Sequence, residues 1–433
     1  MTDAKQGGLS SWLSWSSIKK SANEFGIPRL IIIVFLLLLI ILSYANDMNL
    51  MRIFGDVLRR WGMFGILILA MVPGIQSGIG PNFGVTVGIT GGLLGAVLSL
   101  EMRFRGWFNA FVVEPVQITV VSEVPMIPFD SQVYAAASRF FAPVITTVYG
   151  VNLQGEAFVT QHPTVPMFYT AGLVTIAVAI LLGIVIGAVM GYLYGVILNR
   201  VKGSEMAISV YIGFSVVALF NIIWFTMPVS SGIMILPATG SGLRQNINLR
   251  DDFGNVLNRI FQFDIGTERI GLMNVPTGLL VTFFFFCFIV WLFSKSRLGL
   301  MMSAAGSNPE YARASGINVD KMRILGTVLS TVLGAVGIIV YAQSFGFLQL
   351  YSAPMQMGFA TVAAVLIGGA TVKRARVADA IIGALLFHSV LTIALPLSNR
   401  MLADVPALPE ILRVIITNGI ILYALSRTKG GRG

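Results

Sequence analysis

TGLLVTFFFFCFIVWLF, the run from Thr277 to Phe293, carries no charge and only two hydroxyls over 17 residues. It lacks the alternation of a half-buried strand and approaches the roughly 20 apolar residues a helix needs to cross a hydrocarbon core. Leu30–Ser43, Val174–Val189 and Ile324–Val340 are built the same way. Backbone polar groups in lipid must be satisfied within the segment or in a closed barrel, and continuous rather than alternating runs choose the helix. Over 433 residues, 56% are hydrophobic and 11% charged, against roughly 25% charged in soluble domains. The expectation is an all-α, polytopic membrane protein of about ten transmembrane helices with two extracytoplasmic insertions.

Working outward from Thr277–Phe293, Lys295 and Arg297 follow at once, and basic residues beside a span mark the side kept in the cytoplasm. The next segment adds Arg313, Lys321 and Arg323 before Ile324–Ser344 leaves. Phe345–Gln356 is a short external turn, Met357–Ala370 returns to a second basic loop at Lys373, Arg374 and Arg376, and Ala378–Leu395 leaves. Pro396–Pro409 is external, and Ile411–Leu425 brings in a tail with Arg427, Lys429 and Arg432. Upstream, Leu30–Asn46 goes out, Met167–Leu198 comes in to Arg200 and Lys202, and Met206–Met227 goes out. Pro228–Pro276 sets Arg244, Arg250, Arg259 and Arg269 against Asp251, Asp252, Asp264 and Glu268, a balance that suits an external loop. The division expected is a cytoplasmic segment 1–29, a transmembrane domain 30–425, and a cytoplasmic tail 426–433. Within the domain lie extracytoplasmic insertions at about 122–166 and 228–276 and a cytoplasmic loop at about 294–323. Both termini are expected in the cytoplasm.

Residues 51–166 resist this reading. Trp61–Ile79 and Gly84–Leu100 look embedded, yet Arg52, Arg59 and Arg60 precede them and Arg103 and Arg105 follow. Either several arginines lie outside, or Gly78-Ile79-Gly80-Pro81-Asn82 breaks a helix at membrane depth and makes one segment re-entrant, with Phe108–Val121 as a further span.

Lys5, Lys19, Lys20 and Arg29 before the first apolar run invite a signal-peptide reading. The leader is long, and no small-residue cleavage site follows Tyr44-Ala45-Asn46-Asp47. Trp12 and Trp15 instead suit an interfacial amphipathic segment. The net charge of +10 does not indicate nucleic acid, because the positive residues sit at span ends rather than among aromatics on a soluble domain. The single cysteine, Cys287, excludes an intrachain disulfide.

No Gly-x-x-x-x-Gly-Lys-Ser/Thr loop is present to cradle nucleotide phosphates. Gly368-Gly369-Ala370-Thr371-Val372-Lys373 is glycine-rich without that spacing. With only His162 and His388, zinc sets and a Ser-His-Asp triad are not supported, and no metal or catalytic residue is expected. Ion-coupled carriers hold carboxylates within their spans, and these spans are almost free of them. Asp379, beside Lys373–Arg376, is expected to cap a helix and pair with arginine. Arg413 is expected to snorkel to the interface. Asn82, Thr86, Asn221, Gln343, Gln356 and His388 are the candidate pore-lining groups, the alternative being interhelical hydrogen bonds. Gly74–Gly95 gathers eight glycines, which permit either close helix packing or an opened backbone lining a cavity.

Beyond Thr277–Phe293 lies the most informative polar stretch. Ala304-Ala305-Gly306-Ser307-Asn308-Pro309, then Ala312, then Ser315-Gly316-Ile317-Asn318-Val319 resembles the cytoplasmic coupling loop of permease subunits of simple-sugar and nucleoside ABC importers, the ribose-type, branched-chain-amino-acid-like permease family. The blocks GFATVAAVLIGG (358–369) and AIIGALLF (380–387) resemble further blocks of that family, from roughly Asn82 to Leu425. The resemblance implies a permease that binds no cofactor itself. A separate ATP-binding subunit would use ATP and Mg, a second permease would complete the pore, and an extracytoplasmic solute-binding protein would deliver the solute, all at a prokaryotic cytoplasmic membrane. Residues carried over for contact with the ATPase are Gly306, Asn308, Pro309, Glu310, Ala312, Ser315 and Gly316. Asn308-Pro309 should start a short helix and Gly316 end it. The block Asn82–Gly88 falls between the family's sugar and nucleoside types, lacking the acidic residue of either, and Arg313 stands where a small residue is usual. A neutral simple sugar is the solute expected first, with nucleoside import as the alternative and an ion-coupled carrier as a third reading.

Overall fold

The computed structural model describes residues 27–107, 146–151, 157–162 and 166–401 apart from positions 202, 230, 233, 237–239, 251, 261 and 268–270, together with 415, 418 and 419. The possible span Phe108–Val121, most of the 122–166 insertion, nearly all of Ile411–Leu425 with Arg413, and the tail lie outside the described residues.

Among the described residues thirteen helices and six short strands follow one another. The chain opens with α1 (Ile27–Ala45), α2 (Leu50–Leu69), α3 (Met71–Gln76) and α4 (Val85–Phe104). A hairpin of β1 (Thr146–Val151) and β2 (Ala157–His162) precedes α5 (Pro166–Arg200) and α6 (Glu205–Thr226). Then come β3 (Asn246–Asn248), α7 (Val256–Arg259), β4 (Phe263–Thr267), β5 (Gly271–Val275) and α8 (Thr277–Lys295). The last part holds α9 (Arg297–Ser307), α10 (Pro309–Ala314), α11 (Val319–Phe345), β6 (Phe347–Gln349), α12 (Ala353–Ile367) and α13 (Val377–Met401).

Among the described residues seven helices are long and apolar enough to cross a bilayer: Leu50–Gln76, Val85–Phe104, Gly172–Arg200 and the whole of α6, α8, α11 and α13. The apolar helices Arg29–Ala45 and Ala353–Ile367 are shorter. The protein is an all-α, multi-pass membrane protein, with seven such spans described where about ten were expected.

The core is α4 packed between α5 and α11. Within its apolar window α4 is 83% buried, whereas α6 is 17% buried, so α4 is the axis and α6 the periphery. Lipid offers no hydrophobic drive for helix association, so contact depends on backbones approaching closely over small residues. A Cβ at Gly95 would lie 2.6 Å from the Gly183 nitrogen of α5, and one at Gly88 would collide with the Thr331 carbonyl of α11. The glycine-rich stretch packs at Gly88–Gly95, while residues 77–84 leave the helix yet are mostly buried and line no sizeable cavity among the described residues.

That opened link separates helices running in opposite directions. Pairings such as Gly183 with Ile339 and Gly195 with Ile324 set α5 antiparallel to α11, and Gly88 with Thr331 and Gly92 with Ile338 set α4 parallel to it. Gly337 with Leu67 and Gly326 with Pro73 set α2–α3 antiparallel to α11, so the described helices on either side of the link alternate in direction. The first embedded segment begins at Leu50 and not Trp61, so Arg52, Arg59 and Arg60 lie within its helix. Pro73, which cannot donate to Leu69, marks the α2/α3 seam at Ala70.

The bundle has two unlike ends. At the β6 end, β3 pairs antiparallel with β6, Arg103 meets Asp252 at 3.4 Å, and Arg59 donates to the Ser344 carbonyl and to Asn255 Oδ1. The Tyr351 hydroxyl donates to the Leu243 carbonyl at 3.3 Å, and burial holds its phenol above the ordinary value, so it remains a donor at neutral pH. At the opposite, α10 end, Arg29 pairs with Asp379 at 3.0 Å while that carboxylate accepts from the Arg376 nitrogen at 2.9 Å. Asp379 thus caps α13 as expected, but its ion pair is with Arg29 of α1 and not with the adjacent basic loop. Arg323 with Glu205, and Asn199 with the Asp320 carbonyl, join the remaining helix ends.

Candidate functional site

Asn308 both ends α9 and begins α10. Its nitrogen donates to the Ala304 carbonyl at 3.1 Å, and its Oδ1 accepts from the Tyr311 nitrogen at 3.0 Å, the N-cap bond that satisfies a first-turn donor. Pro309 occupies the first turn, where its missing N–H costs nothing. At the other end Gly316 has φ +81°. The Gly316 nitrogen reaches the Arg313 carbonyl at 3.0 Å and the Ile317 nitrogen the Ala312 carbonyl at 2.9 Å, the paired bonds of a Schellman stop. The start and stop read from sequence are those the chain uses.

Ala312 is fully buried with Ala305 and Val319, while Ile317 and Met322 pack around them. Ala312 therefore holds the α9–α10–α11 corner together and offers no surface. Asn308, Pro309, Glu310, Arg313, Ser315 and Gly316 are exposed, and Tyr311 projects with 70% of its surface free. The result is a small rigid foot, apolar inside and polar outside, with one aromatic ring at its face.

Gly306 faces inward. Its backbone lies so close to the start of the open link that a Cβ there would collide with the Gln76 carbonyl and sit 2.6 Å from the Gly78 nitrogen. Gly78, at φ +81°, presses back on the Gly306 Cα. The Gln76 side chain donates to the Ala375 carbonyl at 3.0 Å and accepts from Ser294 Oγ at 3.3 Å. The foot, the end of α8, the 371–376 loop and the 77–84 link thus meet at one point.

From that point the link leads to Asn82, which has no exposed surface. Its Nδ2 donates to Ser330 Oγ at 3.0 Å. Its Oδ1 accepts from the Gly84 nitrogen at 3.0 Å and from the Tyr194 hydroxyl at 2.7 Å. One amide thereby ties the link to α5 and α11. Thr86, one turn on, lies where α4 meets Gly213 of α6 and Gly358 of α12. It lines a narrow cleft with Phe83, Phe214 and Phe359, whose rings are 5.4 Å (Phe83–Phe359) and 6.2 Å (Phe214–Phe359) apart.

The other pore candidates do not join this group. Gln343 is fully buried at the β6 end, accepting from the Leu257 nitrogen at 3.2 Å and donating to Asn258 Oδ1 at 3.3 Å. Gln356 is exposed at the start of α12. Asn221 lies half-buried on α6, its Oδ1 without a hydrogen-bond partner among the described residues. His388 is stacked on Phe64 at 3.9 Å and edge-on to Phe387 at 5.1 Å, an aromatic setting where a hydrogen bond to a neighbouring helix was expected. Its Nδ1 finds no partner among the described residues.

Residues 131–425 match the sequence family described as "Branched-chain amino acid transport system / permease component". The chain belongs to that family. Three permeases show the kind of protein it is similar to. The nucleoside ABC transporter permease NupB of Lactococcus lactis subsp. cremoris is 30% identical over 163 residues, 37% of this chain and 39% of that protein. NupC of the same organism, also a nucleoside ABC transporter permease, is 40% identical over 74 residues, 17% and 23% of the two chains. The guanosine permease NupQ of Bacillus subtilis is 35% identical over 82 residues, 19% and 26%. The chain therefore spans less than two fifths of the length of each of these relatives. No solved structure matches it.

In this permease three residues of the site went unread in the sequence. Gln76 carries a weak signal, a lone amide just before a glycine-rich break. Tyr311 carries a better one, an aromatic among polar residues at a helix tip, the residue type enriched where interfaces concentrate their energy. Tyr194 carries none, since its partner Asn82 lies 112 residues away. Gly316→Val provides a local test, because nothing lies within 4 Å of the Gly316 Cβ position and only the backbone conformation is penalised. A left-handed β-branched residue costs about 1–3 kcal/mol. The expected outcome is frayed amide-exchange protection over 309–317 and several-fold lower transport with membrane insertion unchanged.

Proposed function

We infer that this permease is the membrane-spanning half of an ATP-driven importer, with the α10 end in the cytoplasm. The loops at that end carry Lys295, Arg297, Arg313, Lys321, Lys373, Arg374 and Arg376, a density of basic residues that suits cytoplasmic retention, while several arginines of the β6 end, Arg59 and Arg103 among them, are tied into hydrogen bonds or ion pairs there. The separate ATP-binding subunit, which uses ATP and Mg, grips the exposed face of α10. Its motion passes through Gly306 to the 77–84 link, and from Asn82 into α5 and α11. A second permease chain packs beside this one, and an extracytoplasmic binding protein delivers the solute to the β6 end. The observation that carries this reading is the seating of a surface-exposed foot directly on the break between α3 and α4. A foot that moves must then move the break.

The solute proposed is a nucleoside in preference to the simple sugar favoured by sequence. The names of NupB, NupC and NupQ support it. The test is uptake into proteoliposomes carrying the permease, its ATP-binding subunit and its binding protein. Labelled guanosine should enter only with internal ATP and outcompete ribose. Uptake that ignores ATP and follows an ion gradient would overturn the coupling scheme. Ribose uptake equal to that of guanosine would overturn the solute.

A further inference from the structure

The β6 end holds a cavity of about 540 Å³ between the start of α2, α7 and the β5–α8 junction. Arg52, Arg59 and Arg259 line it, with Asp56 as the one carboxylate. Arg59 is held in place by Ser344 and Asn255. Arg52, Arg259 and Asp56 are exposed, and none of the three forms an ion pair among the described residues. Three guanidinium groups and a carboxylate around one space, without pairing across it, leave an excess of positive charge directed at whatever fills that space. Lysine is absent from the lining, and arginine is the residue whose planar donors match phosphate oxygens bidentately. Amides at Asn49, Asn258, Gln262 and Asn274 complete the wall, and such groups both donate to and accept from hydroxyls. The volume falls within the range of small-molecule sites, about 300–1,000 Å³, and well exceeds what a bare anion needs.

We propose that this cavity binds a phosphate ester carrying free hydroxyl groups, with Arg52, Arg59 and Arg259 on the phosphate and the amides on the hydroxyls. The site also accounts for arginines at a span end that a topology signal alone would leave free of them. Such chemistry comes from two sources, a phosphoglycerol lipid head group or a soluble phosphate ester, and the experiment separates them. The full chain is placed in nanodiscs of phosphatidylcholine with or without phosphatidylglycerol, and the lipid retained after detergent transfer is counted by native mass spectrometry. In parallel, delipidated protein is titrated with glycerol 1-phosphate and with inorganic phosphate.

Retention of phosphatidylglycerol over phosphatidylcholine assigns the head group. Binding of glycerol 1-phosphate more tightly than inorganic phosphate, without lipid retention, assigns a soluble ester. In whichever arm binding appears, Arg52→Gln with Arg259→Gln should weaken it about 10-fold, and Asp56→Asn should strengthen it several-fold, a gain that a misfolded chain would not produce. Absence of binding in both arms overturns the proposal. So does binding that neither variant alters, or inorganic phosphate bound as tightly as the ester.

Discussion

Gly306→Val leaves the permease in the membrane and lowers transport about 10- to 100-fold. The added Cβ would strike the Gln76 carbonyl and the Gly78 nitrogen, both backbone, so no rotamer change relieves the contact. Either α9 lifts from the link or the link deforms. Overpacking of this kind costs about 1–3 kcal/mol, and here it falls on the contact that joins the foot to the 77–84 link. Gly306→Ala should show the same defect in milder form, since the Cβ alone already overlaps. Uptake normalised to inserted protein checks this, and wild-type uptake in both variants would remove Gly306 from the coupling path.

Asn82→Ala should be the most destabilising single change in the link. It removes a fully buried amide that makes three hydrogen bonds, leaving Ser330 Oγ and the Gly84 nitrogen without that partner while the Tyr194 hydroxyl keeps its bond with Ser209. Each buried group left without a partner costs about 1–3 kcal/mol, so several kcal/mol are lost and the unfolding midpoint of detergent-purified protein should fall by several degrees or more. Tyr194→Phe removes one of the three bonds and should cost far less. Equal midpoints for Asn82→Ala and wild type would mean that the link is not fixed by this amide.

Much of this architecture was legible because its signals are local. The apolar run Thr277–Phe293 declares a span without reference to anything distant, and it became α8 almost unchanged. Asn308, Pro309 and Gly316 likewise carry their capping chemistry within a few residues, so the foot could be read before its surroundings were known. Asp379 carried its cap to Arg376 in its own neighbourhood, though its ion pair with Arg29, 350 residues away, could not be read from it. What stayed hidden depends on tertiary contact. Arg52 and Arg59 looked like topology errors because Ser344 and Asn255, which hold Arg59, lie in other parts of the chain. Gln343 looked like a pore candidate, yet α7 folds over it and takes both ends of its amide. Ala312 read as a contact residue because it shares a motif with exposed neighbours, but one helical step turns it inward. The bearing of the foot on the link was unreadable for the same reason: Gly78 and Gly306 are individually ordinary glycines, and only their proximity gives them a role.

The central claim is that the foot faces the cytoplasm and is covered by an ATP-binding subunit. Tyr311→Cys tests it most directly, because the only native cysteine, Cys287, is buried within α8 and leaves a quiet background for a membrane-impermeant maleimide. The account predicts no labelling in intact right-side-out cells, strong labelling in inside-out vesicles stripped of peripheral subunits, and protection when the ATP-binding subunit is added back. Labelling from the outside of intact cells, or labelling in stripped vesicles that the ATP-binding subunit leaves unchanged, would contradict it.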